Sequence, residues 1–147
     1  SMTMELKVVK PVTKTVADLE LDDEHITAGL DDSIQEGANR LLSVPGGVLI
    51  VLNDDSQVKG VIGTKQMLTA IAKGSDISST KCNQIMEMDF LQVELATPLS
   101  EVLAEIKKRS PQAVVAVSNG EFAGYFSPSD YSQARSIVKS LKQVFKA

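Results

Sequence analysis

Tryptophan is absent from this chain of 147 residues, and cysteine and histidine occur once each, as Cys82 and His25. A lone cysteine excludes an internal disulfide. One His and one Cys give little raw material for a metal centre or a Ser-His-Asp triad. His25 stands in the acidic run Asp22-Asp23-Glu24-His25 and reads as solvated, whereas Cys82 reads as a buried core thiol. With four Phe and two Tyr, the core must be built from Val, Ile, Leu, Ala and Met. No apolar run approaches the ~20 residues that span a bilayer. Ser1 reads as a tag scar before Met2, and no signal-like segment follows. A cytoplasmic protein without a membrane partner is expected. Basic excess is also missing: the formal net charge is −4, against a nucleic-acid binder.

The charge that is there is uneven. Asp18 to Glu36 holds eight acidic residues, while Arg135, Lys139, Lys142 and Lys146 run down the C-terminal segment, where cations suit the negative end of a helix. Lys107-Lys108-Arg109 reads in the same way, as the solvated end of an earlier helix. No nucleophile–base pair, phosphate loop or metal cluster points to a hydrolase or transferase, so a non-enzymatic protein is expected.

What the chain does contain is an internal repeat. Asp32-Ser33 precedes Ile34, Ala38, Leu41 and Leu42, one apolar helical face with Asp32 or Ser33 as its cap. Thr97-Pro98 precedes Leu99, Val102, Leu103 and Ile106, with Thr97 suited to the N-cap and Pro98 to the first helical position. Each helix stops near a proline, Pro45 or Pro111. A strand covered on both faces follows each: Val48–Leu52, and Val114–Val117. Turn residues then lead to second strands, Gln57–Ile62 and Glu121–Phe126, the latter through the hairpin signal Asn119-Gly120. Second helices carry Met67, Leu68, Ile71 and Ala72, or the stripe Tyr131, Ala134, Val138, Leu141 and Phe145. That stripe reads as a core or dimer face. Short strands near Ile26–Gly29 and Leu91–Leu95 open the two units. The order is β-α-β-β-α, twice, at an offset of 64 to 66 residues. Residues 1–14 read as an N-terminal arm, with Met4–Val9 alternating as a strand might. Residues 15–75 and 76–147 read as the two repeats, and Lys73–Lys81 as their linker. The expected fold is α/β (α+β), two units packed sheet to sheet about a pseudo-twofold axis.

The candidate site is the second strand-to-helix junction, Gly124-Tyr125-Phe126-Ser127-Pro128-Ser129-Asp130. Ser127, Pro128 and Asp130 make a strong helix start. An exposed Asp beside a helix N-terminus can also grip a ribose, and the free N–H groups there can receive a phosphate. The first copy of this junction is degraded. Gly63 stands in place of Ser127 and Gln66 in place of Asp130, with Thr64 offering a hydroxyl one place late.

The β-α-β-β-α repeat and the motif Gly, two apolar residues, Ser or Thr, two residues, Asp resemble a tandem pair of CBS domains, over roughly Thr15 to Phe145. Ile85-Met86-Glu87-Met88-Asp89 resembles the way that family opens a unit. The resemblance implies a regulatory, energy-sensing module in which AMP, ADP, ATP or S-adenosylmethionine acts as ligand, with no cofactor required. It implies that the chain forms a homodimer through its second helices and signals to a target protein. Ser127, Ser129 and Asp130 would then hold the ligand, facing Asp32, Gly46, Gly47 and Val48 of the first copy. Asp32, read from its own charge, would either cap its helix or push phosphate away from the site. Thr97, Ala113, Thr64 and Gln66 would form a weaker second site. The alternative is a ligand-independent dimerisation scaffold in which Ser127 and Asp130 only cap a helix.

Overall fold

A computed structural model describes residues 14–144; the arm at Met4–Val9 and Phe145 lie outside the described residues. Two three-stranded sheets are present, β1-β2-β3 and β4-β5-β6. The first contains β1 (His25–Gly29), β2 (Val48–Leu52) and β3 (Val58–Ile62), and the second β4 (Phe90–Glu94), β5 (Ala113–Ser118) and β6 (Glu121–Phe126). Helix α1 (Ile34–Leu41) crosses from β1 to its parallel neighbour β2, and α4 (Leu99–Arg109) crosses from β4 to β5. Antiparallel hairpins then lead to α2 (Thr64–Ala72) and α5 (Pro128–Val144). Asn119 and Gly120 both take positive φ, 51° and 82°, the two-residue turn that matches strand twist.

The middle strands are apolar on both faces because each serves two cores. Leu49 and Val51 of β2 face α1, whereas Ile50 faces the other sheet. In β5, Val114 and Ala116 face α4 and α5, whereas Ala113 and Val115 face the other sheet. Val58, Val61 and Tyr125 complete this inter-sheet core, so the two repeats pack sheet to sheet as expected. Each buried Val or Leu contributes about 1.5–3 kcal/mol to this arrangement.

Two elements outside the expected repeat lock the halves together. A 3-10 turn at Val16–Asp18 precedes β1, and the short helix α3 (Cys82–Ile85) precedes β4. Each packs on the other half's core. Val16, Leu19 and Leu21 join the cluster of Leu91, Leu99 and Phe126. Cys82 joins Ala28, Leu49 and Ile62, with Met86 packed against them. Leu21 O accepts the Tyr125 N–H at 3.0 Å, and Glu87 pairs with Val61 through two backbone bonds of 2.8 and 2.9 Å. These contacts cover the open edges of β6 and β3.

The crossing explains two glycines. A Cβ at Gly124 would lie 2.4 Å from Leu21 Cβ and 2.9 Å from Leu21 O. One at Gly60 would lie 2.5 Å from Met86 Cγ and Sδ. The segment Lys73–Lys81, read as the linker, also packs against the first repeat. Ile77 O and Thr80 O accept from the N–H groups of Gln35 and Ile34, at 3.0 and 2.9 Å, and Lys81 pairs with Ser33. That segment satisfies two orphan donors of α1. No described helix is long and apolar enough to cross a membrane.

Candidate ligand site at the second strand-to-helix junction

Ser127 ends β6 and opens α5, and it caps the helix reciprocally with Asp130. Ser127 N–H donates to Asp130 Oδ2 at 2.9 Å, the Ser127 hydroxyl donates to the same oxygen at 3.0 Å, and Asp130 N–H donates to Ser127 Oγ at 3.1 Å. The expected exposure of Asp130 is corrected: it is 4% exposed and Ser127 1%. The reciprocal cap turns both side chains back onto the chain. Ser129, between them, is exposed. Burial pushes the Asp130 carboxyl above its usual range. The two bonds from Ser127 oppose that shift, and Asp23 and Glu24 add to it. Burial, then Glu24 and Asp130, likewise raises the Tyr125 phenol. Asp130 Oδ1 takes part in neither of the bonds from Ser127, and Asp130 is not among the residues that line the adjoining cavity.

A cavity of about 220 Å³ adjoins this cap. It is lined by Ser127, Pro128, Tyr125, Tyr131 and the loop Pro111-Gln112-Ala113. The wall expected from the first repeat does not line this cavity. Gly46, Gly47 and Val48 line a different cavity, of about 240 Å³, together with Gly63, Thr64, Gln66 and Ala113. Each junction therefore meets the helix-to-strand loop of its own repeat, and Gln112 and Ala113 reach both cavities. The space imagined for a base beside Gly47 is also taken: a Cβ there would lie 2.3 Å from Glu24 O, which accepts the Val48 N–H at 3.1 Å.

Asp32 and Thr97 line neither cavity. Ser33, not Asp32, caps α1, accepting from Glu36 N–H at 3.1 Å. The Asp32 carboxylate accepts from Gly29 N–H at 2.7 Å and pairs with Arg40 at 3.5 Å. It faces back into its own repeat, so it does not supply the expected repulsion. Thr97 is one residue outside the N-cap of α4, which is Pro98, and its carbonyl accepts from Val16 N–H.

At the degraded junction, Gln66 Oε1 accepts from Gly63 N–H at 2.8 Å, reproducing half of the cap. His25 is not solvated. It begins β1, half-buried, and meets Phe122 and Tyr125 edge to face with centroids 5.3 and 6.1 Å apart. Cys82 is fully buried, as expected, and burial followed by Asp32 pushes its thiol up to about 11. Sequence reasoning missed Asp23, Glu24 and Tyr125 as neighbours of Asp130. The offset of 65 that maps Asp22 onto Glu87 is the signal that could have found the first two.

No protein-family model matches the chain, and no curated protein sequence matches it. Solved structures do. A CBS domain protein from Pyrobaculum aerophilum, complexed with AMP, is 20% identical with a TM-score of 0.72, over 88% of this chain and 99% of that one. A putative acetoin utilization protein from Vibrio cholerae is 14% identical with a TM-score of 0.73, over 92% and 100%. A CBS-domain containing protein from Agrobacterium tumefaciens is 23% identical with a TM-score of 0.64, over 82% and 90%. With two interlocked β-α-β-β-α units and these structural relatives, the chain has the fold of a tandem CBS-domain pair.

Proposed function

We propose that this protein is a regulatory module, not an enzyme, that binds an adenosine-containing ligand at Ser127 and Asp130 and passes its state to a partner protein through a homodimer. One observation carries the reading: a buried carboxylate does a capping job that a neutral amide, Gln66, does at the equivalent turn. A ribose diol supplies the reason for the charge, because two vicinal hydroxyls can donate to one carboxylate. The AMP complex of the Pyrobaculum protein supports the ligand class.

Asp23 and Glu24 act on Asp130 with the same sign as its own charge. They disfavour phosphate and favour a neutral or cationic adenosine compound such as S-adenosylmethionine. Calorimetric titration with AMP, ADP, ATP and S-adenosylmethionine tests this, beside Asp130→Asn, which retains a side chain able to cap the helix. The expected result is saturable binding, strongest for S-adenosylmethionine and weakened about tenfold or more in the variant. Failure of all four ligands to bind the folded wild type would overturn the reading and leave the dimerisation scaffold, with Asp130 as a cap.

A further inference from the structure

A groove of about 480 Å³ opens between α4 and α5. Leu103 and Val138 give it an apolar floor, half-buried and packed on the core of the second repeat. Arg135, Lys139 and Lys142 stand exposed at its rim, and no carboxylate contributes to its lining. The helix dipole accounts for Lys142, in the last turn of α5, but not for Arg135 and Lys139 in its middle. The residues three and four positions from each cation include no acid, and among the described residues none of the three takes part in an ion pair. The fold does not need them either. At the offset of 64 residues that relates Gly63 to Ser127, Leu68 of α2 stands for Ser132 and Ile71 for Arg135. Both are well exposed, at 59% and 64%. The same helix pair is thus built once with an apolar face and once with a basic one. An apolar face suits a copy of itself, whereas three cations set against their own copies about a twofold axis would repel.

We propose that the α4–α5 groove docks an acidic amphipathic helix of a partner protein, with apolar side chains on Leu103 and Val138 and carboxylates on Arg135, Lys139 and Lys142. Charge complementarity selects the sign of the partner and the floor selects its class. A nucleic acid would also seek the cations, but the formal net charge of −4 opposes an extended polyanion. A flat lipid surface would meet the rim and miss the half-buried floor, which side chains projecting from a helix can reach. Arg135 also lies over the ring of Tyr131, 5.8 Å from its centroid, and Tyr131 lines the cavity at Ser127. The groove therefore adjoins the ligand site proposed above, but docking does not rest on that reading.

Fluorescence anisotropy of a labelled helical peptide, with leucines on one face and glutamates on the other, tests it on the full chain without any adenosine compound. The groove variant combines Arg135→Gln, Lys139→Gln and Lys142→Gln. A control combines Lys107→Gln, Lys108→Gln and Arg109→Gln, three exposed cations of α4 outside the groove, and so removes the same charge. All six side chains are exposed, so both variants should fold, and a thermal melt checks that. The wild type is expected to bind saturably, the groove variant about tenfold or more weaker, and the control within about twofold of the wild type. Replacing the peptide's leucines with serine should also weaken binding about tenfold, and added salt should weaken it further. No saturable binding by the wild type, equal losses in the two variants, or equal binding of the serine peptide would overturn the proposal. So would single-stranded DNA or phosphatidylserine vesicles that bind more tightly than the peptide and are lost in the groove variant, since the cations would then serve another polyanion. None of these outcomes touches the titrations at Ser127 and Asp130.

Discussion

The β3–α2 and β6–α5 turns are one device built twice, and they differ in charge. At the first, Gln66 Oε1 holds the Gly63 N–H at 2.8 Å; at the second, Asp130 Oδ2 holds the Ser127 N–H at 2.9 Å. The geometry of the turn therefore needs an acceptor oxygen three residues on, and a neutral amide suffices. Asp130 does more than this requires: it is buried, and burial pushes its carboxyl away from the ionised form. The helix N-terminus and the second bond, from the Ser127 hydroxyl, favour a charge there, against the cost of burial. The proposed ligand, with its hydroxyl donors, would add to what favours it.

The strongest way to break the comparison is to fill the two glycines that let the chain cross over. At Gly124 a new methyl group meets Leu21 Cβ at 2.4 Å and the Leu21 backbone at 2.9 Å. The segment carrying Val16, Leu19 and Leu21 would have to lift from the core. At Gly60 it meets the Met86 side chain, whose far end can move aside. Gly124→Ala should destabilise by about 3 kcal/mol and Gly60→Ala by about 1–2 kcal/mol, read by urea denaturation. Equal losses would show that Met86 is as fixed as backbone, and that the two crossings are mechanically alike.

The repeat was legible because its signals are local. Ser33, Pro98 and Pro128 mark helix starts, Asn119-Gly120 marks a hairpin, and the apolar runs at β2 and β5 match strands buried on both faces. The crossings were not legible. Val16–Asp18 and Cys82–Ile85 are too short for a periodicity, and what defines them is contact with residues about 50 to 80 positions away. Which residues wall the site is set by the fold in the same way. Gly46-Gly47-Val48 has the composition of a ligand loop, but only the fold shows Glu24 O lying against Gly47. Ser127 and Asp130 were found by type and spacing; their burial, and the acidic neighbours that reach them from the segment before β1, depend on the crossing.

A smaller effect sharpens the comparison at the caps themselves. Asp130→Ala removes the partner of both Ser127 donors and should lower stability by about 1–2 kcal/mol; Gln66→Ala removes one bond and should lower it by about 0.5–1 kcal/mol. Ser127→Ala should fall between them. If Gln66→Ala is the more damaging, the charged cap is not the stronger one, and the extra hydroxyl contributes nothing to the fold.

The smallest effect is the most informative, because it separates the charge of Asp130 from its shape. The folded state holds the Asp130 proton more tightly than the unfolded chain does, since burial outweighs the bonds from Ser127. As pH rises past the ordinary carboxylate value, the unfolded chain releases its proton first. Stability then falls with pH through that window and stays lower once both states are ionised. Asp130→Asn keeps an acceptor oxygen and removes the titration. Urea denaturation of both proteins from about pH 3 to about pH 8 should therefore show the variant gaining on the wild type as pH rises, and holding its advantage at neutral pH. Parallel curves would mean that the carboxylate is no less comfortable than an amide. A difference of opposite sign would mean that the Ser127 bonds dominate, and that the cap alone accounts for the charge.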